Sequence, residues 1–372
     1  MEEKNAKAIE RIREEINKIS EGNGRVLFFV LDTKGVPSGS LEYIYKLAKI
    51  AKESGHEVGL LYQLSKDEEF VGVNEWLGKE YAELPHYNTS LDEFKIEPSD
   101  ILFIPEIFTN VMNQTKKLPC KRIILLQNYD YMVEQMPFAA QVGDFGIIDC
   151  VTNTEYNAEY IKDVFPYVRT NVITPYVDPM FEDSISPKKL VVNVIAKDQS
   201  DVNKIIKPFY WKYPTFKWVS FRDLRGFPKS NFAELLRDAA ITIWADDTTS
   251  FGYSALEAMK SGSIVIAKIP NNPLEWMNSK KDDSLMSNCC LWFDNYHTLH
   301  KQIASVVRAW MTDKVPSEIY SEAKSTAQEY TKDKTEKAFK EYIEKVFTER
   351  VNEMETLIRN IEHKDENKNK EG

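Results

Sequence analysis

The segment Thr249-Ser250-Phe251-Gly252-Tyr253-Ser254-Ala255-Leu256-Glu257-Ala258-Met259-Lys260-Ser261-Gly262-Ser263-Ile264-Val265-Ile266-Ala267 links two apolar runs through a helical pattern. The run before it, Ile241–Ala245, and the run at its end, Ile264–Lys268, have the length and β-branched content of strands. A strand, a turn, a helix over Tyr253–Ser261 and another strand make a βαβ unit, which implies a parallel sheet. Gly252 and its small neighbours stand where the helix begins. Free N–H groups and the positive end of the helix dipole therefore point outward there, an arrangement suited to phosphate. Glu257 lies one turn in, beside the apolar Ala258-Met259. A carboxylate in that place costs stability unless it is paired or accepts hydrogen bonds, for example from ribose hydroxyls. Local chemistry leaves a second account open: a surface Glu on an ordinary sheet-covering helix, with Gly252 as a turn glycine.

The same alternation extends in both directions. Upstream, strand Leu190–Ala196, a helix around Asp201–Tyr213, strand Lys217–Phe221 and a helix near Asn231–Ala239 are expected. An earlier series opens with the apolar run Val26–Leu31, the turn Asp32–Gly39 and a helix near Leu41–Glu53 that keeps Leu41, Ile44, Leu47, Ala48 and Ala51 on one face. Gly55 stops that helix. Strands Glu57–Tyr62, Ile101–Ile104, Arg122–Leu126, Ile147–Thr152 and Arg169–Thr174 follow. Between the two series, Thr174–Lys189 carries Pro175, Pro179 and Pro187 and reads as a linker.

A chain of 372 residues exceeds what one core supports. The expectation is an α/β protein of two domains with parallel sheets, 25–178 and 179–316, with a helical extension over 1–24 and a C-terminal helix and charged tail over 317–372. Within that helix Phe347, Val351, Met354, Ile358 and Ile361 recur at alternating spacings of four and three, a coiled-coil-like seam. The seam either packs back on the chain's own domains or joins two copies as a homodimer. His363–Gly372 is charged and expected to fray.

Composition narrows the function. Lys and Arg number 48 against 58 Asp and Glu, a net charge of −10, which argues against gripping nucleic acid through its phosphates. No apolar run approaches the roughly 20 residues of a membrane span, and residues 1–20 lack the apolar core of a signal peptide. Four Cys make no disulfide framework, so a cytoplasmic protein is expected.

Common chemistries are excluded by spacing. Asp32-Thr-Lys-Gly35-Val-Pro-Ser-Gly39 is not G-x-G-x-x-G, and Tyr62-Gln63 offers no carboxylate for an NAD ribose. No P-loop and no G-x-S-x-G elbow occur. Adjacent Cys289-Cys290, followed by His297 and His300, do not have zinc-ligand spacing, and Leu291-Trp292-Phe293 between them reads as a buried strand; buried core thiols are the expectation. His56 reads as a turn histidine.

The 249–267 segment resembles the donor-site signature of retaining nucleotide-sugar glycosyltransferases of family 4, usually E-G-F-G-x-x-x-x-E-A-M-A-x-G-x-P-V-V-A. Further matches fall in order. Pro37-Ser38-Gly39-Ser40-Leu41-Glu42 is similar to the turn G-G-x-E, and Ser54-Gly55-His56-Glu57-Val58 to G-H-E-V. Val172–Phe181 resembles the interdomain I-P-N-G-V-D-x-x-x-F, and Gly226-Phe227-Pro228 with Ala233–Ala239 the G-x-V turn and helix before the donor strand. The resemblance covers roughly residues 25–310. It implies the GT-B architecture: two Rossmann-like domains facing across a cleft, acceptor mainly on the first and nucleotide sugar mainly on the second.

The resemblance also implies site residues. Glu257 corresponds to the ribose-holding Glu, while the sugar-contacting Glu eight residues earlier is replaced by Thr249. Asp247 or Asp246 replaces that carboxylate, or Thr249 supplies a neutral hydrogen bond; Asn271 and Asn272 join in orienting the sugar. Lys197 stands near the family's diphosphate-clamping Arg. Lys204 is a poor stand-in for its Lys, and Arg222 and Arg225 either compensate or pair with Asp223 and solvent. Gly226 and Phe227 frame the base, and the amides of Ser250, Phe251, Gly252 and Tyr253 steady the diphosphate. Gly35, Ser38 and Gly39 form the acceptor-side turn. Gln127 or Asn128 takes the place of a frequent family His. The implied reaction is a retaining, metal-independent hexosyl-type transfer from a nucleotide-diphosphate sugar, with no cofactor, to a glycan or lipid-linked acceptor. Lipid-linked acceptors leave open a peripheral position at the inner face of a membrane. The alternative from another class is a GT-B-fold binding or scaffold protein without catalysis; an epimerase on this architecture would need cleft carboxylates and histidines that the sequence does not supply.

Overall fold

The computed structural model describes residues 2–64, 74–91, 94–184, 187–278 and 289–371. Among them twelve strands form two all-parallel sheets. The first contains β1 (Arg25–Phe29), β2 (Glu57–Tyr62), β3 (His86–Asn88), β4 (Ile101–Pro105), β5 (Lys121–Leu126), β6 (Asp149–Thr152) and β7 (Arg169–Val172), in the order β3-β2-β1-β4-β5-β6-β7. The second contains β8 (Lys189–Ala196), β9 (Ser220–Asp223), β10 (Ala239–Ala245), β11 (Ile264–Lys268) and β12 (Leu291–Phe293), in the order β12-β11-β10-β8-β9.

Continuous apolar runs become central strands because both faces of a parallel sheet are covered. In β1, Val26 and Phe28 enter one core with the helix Gly39–Glu53, while Leu27 and Phe29 enter another on the opposite face. Val26 pairs with Val58 of β2 on one side and Ile101 of β4 on the other. The chain thus reverses its direction of travel across the first sheet between β1 and β4, and across the second between β8 and β10. Crevices beyond the carboxyl ends of strands open at such points.

The chain finishes by crossing back. Helix Ser317–Gln328 buries Ala323 and Ala327 with the second half, and helix Lys332–Glu371 returns to the first, where Phe339, Tyr342, Ile343, Val346 and Phe347 join the β1 core. Burying each large apolar side chain stabilises by roughly 1.5–3 kcal/mol, enough to fix the return. Phe347 stacks on His56 at 5.1 Å, and Met354 and Ile358 are buried where helix Glu2–Ser20 runs alongside, tied by Arg13 to Glu362 at 3.3 Å. The seam thus packs back on the chain's own domains, with Phe347, Met354 and Ile358 buried. Helix Lys332–Glu371 also carries the charged tail as its last turns rather than fraying before it; Gly372 lies outside the described residues.

Two local features differ from expectation. The strand expected at Lys217–Phe221 begins at Ser220, because Pro214–Phe216 first form a tight turn whose carbonyl at Phe216 accepts from Val219 N–H. Strand β3, three residues long at a sheet edge, has too little pattern to stand out. Among the described residues no helix is long and apolar enough to cross a membrane.

Candidate active site

β10 ends at Ala245, and the chain loops through residues 246–252 before helix Tyr253–Lys260. Gly252 closes the loop with φ +74°, and a Cβ there would meet Leu274 Cδ1 at 3.1 Å and Trp276 Cζ2 at 3.2 Å, so both the dihedral and the space demand glycine. Beneath it Phe251 is buried against Tyr330, ring centroids 5.3 Å apart, and its carbonyl accepts from Trp276 Nε1 at 2.7 Å. Thr249 Oγ1 accepts from Gly252 N–H at 3.1 Å. That hydroxyl caps the turn itself. The N–H groups of Tyr253 and Ser254, first in the helix, have no intrahelical acceptor, and both residues line the space outside.

That space is two adjoining cavities between the halves. The smaller, about 360 Å³, is lined by Pro37, Ser38, Gly39, Gln127, Asn128, Asn153, Asp246 and Thr248–Phe251. The larger, about 550 Å³, is lined by Val36, Trp76, Ile195, Leu224–Phe227, Lys229, Phe232, Glu42 and Glu257. Pro37, Ser38, Gly39, Lys197, Tyr253 and Ser254 belong to both. The walls come from the ends of β1, β5, β6, β8, β9 and β10, so the cavities sit where both sheets turn their carboxyl ends and reverse direction. Tyr253 contributes a buried hydroxyl with no hydrogen-bond partner among the described residues.

Lys197, half exposed directly after β8, reaches the Thr248 hydroxyl and lies 3.8 Å from Asp246 Oδ1. Arg225 lines the larger cavity but forks onto Asp223 at 2.5–3.0 Å and reaches Gln199 at 2.7 Å. Phe227 is exposed at the cavity wall, after Gly226 with φ +77°.

Behind the larger cavity lies a buried charge cluster. Lys229 Nζ, at the first turn of helix Lys229–Asp238, donates to Glu42 Oε2 at 2.5 Å and to Glu257 Oε1. Lys46 Nζ lies 2.7 Å from Glu42 Oε1 and donates to the Tyr176 carbonyl at 2.8 Å. Two carboxylates and two ammonium groups thus balance in a buried site. Burial pushes the Glu257 carboxyl up, the neighbouring Glu42 charge pushes the same way, and Lys229 opposes both. For Glu42, burial is outweighed by Lys229 and Lys46, which hold its carboxyl well down.

Hydrogen bonds cross the cleft elsewhere. Asn128 Nδ2 donates to the Thr248 carbonyl at 2.9 Å, Ser250 Oγ to the Gln127 carbonyl, and Asn153 Nδ2 to Ser250 Oγ at 3.3 Å. Tyr129 O–H donates to Asn272 Oδ1 at 2.6 Å, and Asn272 Nδ2 to Asp130 Oδ2 at 2.9 Å.

This architecture has solved counterparts. Sucrose-phosphate synthase from Thermosynechococcus elongatus superposes with a TM-score of 0.58 at 8% identity, over 88% of this chain and 100% of that one. The pneumococcal O-GlcNAc transferase GtfA, solved with UDP and GlcNAc, gives 0.59 at 9% identity, over 87% and 99%. The chain has the GT-B fold. No family model matches it. An alpha-1,6-glucosyltransferase from Actinobacillus pleuropneumoniae serotype 7 (strain AP76) is 20% identical over 179 residues, 47% of this chain and 54% of that relative. The chain thus spans about half the length of the curated relative it matches.

In this GT-B cleft the expected residues divide. Glu257, Lys197, Arg225, Gly226, Phe227, Thr249, Ser250, Phe251, Tyr253, Ser38 and Gly39 line the two cavities. Gly252 forms the turn beneath them without lining either. Four lie elsewhere. Arg222 is held by Asp238 at 2.9 Å; Asp247 pairs with Lys268, leaving Asp246 on the cavity wall; Asn271 N–H donates to the Asp247 carbonyl; Asn272 is a cross-cleft tie. Gly35 sits in its turn with φ +80°, outside both cavities. Lys204 pairs with Asp201 at 2.8 Å. Among the described residues no three His, Cys, Asp or Glu gather as metal ligands, and Cys289 and Cys290 are buried thiols. Sequence reasoning missed Lys229. Its signal was present: a cation in the first turn of a helix opposes the dipole and needs a carboxylate partner.

Proposed function

We propose that this chain moves a sugar from a nucleotide-diphosphate sugar to a glycan or lipid-linked acceptor, with retention at the anomeric carbon, using no metal and no cofactor. The observation that carries this is that Lys197, Tyr253 and Ser254, the last two with no intrahelical acceptor for their N–H groups, line both cavities, with Glu257 one turn behind. A diphosphate gains negative charge as the glycosidic bond breaks, so a fixed ammonium and fixed amides lower the barrier. In this account the larger cavity takes nucleoside and the smaller takes sugar and acceptor. Glu257 accepts from the ribose, Phe227 and the backbone at Gly226 frame the base, and Asp246, in place of the expected Asp247, contacts the sugar. The relatives' names, a glucosyltransferase and a GlcNAc transferase crystallised with UDP, support the substrate class. Action on lipid-linked acceptors at the inner face of a membrane belongs to the same proposal.

A second account, binding without turnover, is favoured by one observation: the Thr249 hydroxyl is spent on its own turn where the resembled family places a sugar-contacting carboxylate. Incubation with UDP-, GDP- and ADP-sugars, with products followed by chromatography, separates the two. Release of nucleoside diphosphate, lost in Lys197→Met, supports transfer. Tight nucleotide binding without release from any donor supports the second account, and no binding defeats both.

A further inference from the structure

Glu257 does not face the larger cavity as an isolated carboxylate. One of its oxygens is taken by Lys229, and the same ammonium is taken by Glu42, a residue 187 positions from Lys229 in sequence and on the other half of the molecule. Glu42 is fixed in turn by Lys46, whose ammonium lies 4.1 Å from the centre of the Tyr176 ring and 4.9 Å from that of Tyr253. Lys229 lies 5.0 Å from the Phe181 ring. Glu42, Lys229 and Glu257 all line the larger cavity, and each is less than one-tenth exposed.

We propose that Lys229 is a positioning residue for the donor's ribose, orienting Glu257 and favouring its charged form through its bridge to Glu42, so that a residue of the first half governs recognition of the nucleotide by the second. This deepens the transferase reading and rests on it. A hydrogen bond to an ionised acceptor is about twice as strong as one to a neutral acceptor, so the charge on Glu257 decides how strongly a ribose hydroxyl is held. Without Lys229, two carboxylates would share a buried site with only Lys46 between them, and Glu257, already pushed up by burial, takes a proton. Without the charge of Glu42, Lys229 is drawn wholly onto Glu257 and quenches it toward a ligand. Either change weakens the ribose contact without touching the diphosphate site at Lys197. Arginine in place of Lys229 keeps the charge and supplies donors for both carboxylates.

The test is calorimetric titration of the full chain with UDP, GDP and ADP, then with the 2′-deoxy form of whichever binds most tightly. In the unaltered protein, loss of the hydroxyl is expected to weaken binding about tenfold. In Lys229→Met and in Glu42→Gln that ratio falls toward one, while Lys229→Arg retains it. Glu42→Gln keeps the side-chain shape and carries the test alone should Lys229→Met fail to fold. An undiminished ratio in Glu42→Gln overturns the positioning role and leaves the transferase account standing. Equal binding of ribo and deoxy forms by the unaltered protein also overturns it. Binding of none of the three nucleotides defeats both.

Discussion

The two cavities of the cleft are built on different physics. The smaller, apart from Lys197 and Asp246, is walled by neutral groups, among them Asn128, Asn153, Thr248 and Ser250, joined across the cleft by ordinary hydrogen bonds. The larger is backed by a buried four-charge cluster in which one ammonium serves carboxylates from both halves. Neutral bonds of the first kind each contribute about 1 kcal/mol and exchange readily with water or a ligand. A buried charge stripped of its partner costs far more. The lesson is a division of labour: one side of the cleft is built to be re-paired, the other to stay as it is.

Substitutions sharpen or break that contrast. Lys229→Met is expected to destabilise by about 3–5 kcal/mol in chemical denaturation, because it leaves carboxylates buried and uncompensated. Lys197→Met, half exposed, should change stability by no more than about 0.5 kcal/mol while abolishing donor turnover. Equal stability losses in the two would erase the distinction.

Glu106 gives the next largest effect. It is buried at the end of β4, accepts from Asn128 N–H at 2.9 Å, and leaves its other oxygen without a hydrogen-bond partner among the described residues. Burial raises its carboxyl from 4.5 to about 7. The unfolded chain releases this proton near 4.5 and the native protein near 7, so its contribution to stability is full below the lower value and is lost as pH rises through the upper. The loss is up to about 3 kcal/mol. Denaturation midpoints of Glu106→Gln should lack that part of the decline between pH 4.5 and 7; an unchanged pH slope would mean that Glu106 is ionised in the native protein.

Gly252→Ala forces a side chain into the left-handed region against Leu274 and Trp276, with an expected loss of about 1–3 kcal/mol. The smallest effect belongs to Tyr129→Phe, which removes one cross-cleft hydrogen bond to Asn272 and should cost about 1 kcal/mol or less by thermal melting. A larger loss there would show that the neutral side of the cleft is not readily re-paired.

Much of this was legible beforehand, and the failures have physical causes. The βα alternation placed eleven strands, β12 included, because continuous apolar runs bounded by turn residues have few other fates. Helix Tyr253–Lys260, with N–H groups at its start that have no intrahelical acceptor, followed from Gly252 and the run after it. The acceptor-side turn and Glu42 were visible as a motif, but nothing local ties Glu42 to Lys229, since that pairing exists only once two domains meet. The choices left open at Arg222 and at Asp246 or Asp247 have another cause: the face a side chain takes at a strand end depends on a single residue of register, which sends Asp247 to Lys268, leaves Asp246 on the cavity wall and turns Arg222 to Asp238. The return of helix Lys332–Glu371 to the first half was one of two outcomes its heptad seam allowed, and packing at Phe28 and Phe103 selected it.

Crystals of the full chain grown with the tightest-binding of UDP, GDP and ADP test the central claim most directly. The account predicts diphosphate density within hydrogen-bonding distance of the Tyr253 and Ser254 amides and of Lys197 Nζ, with the ribose beside Glu257. Density anywhere else, or a helix start that stays closed at saturating nucleotide, would contradict it.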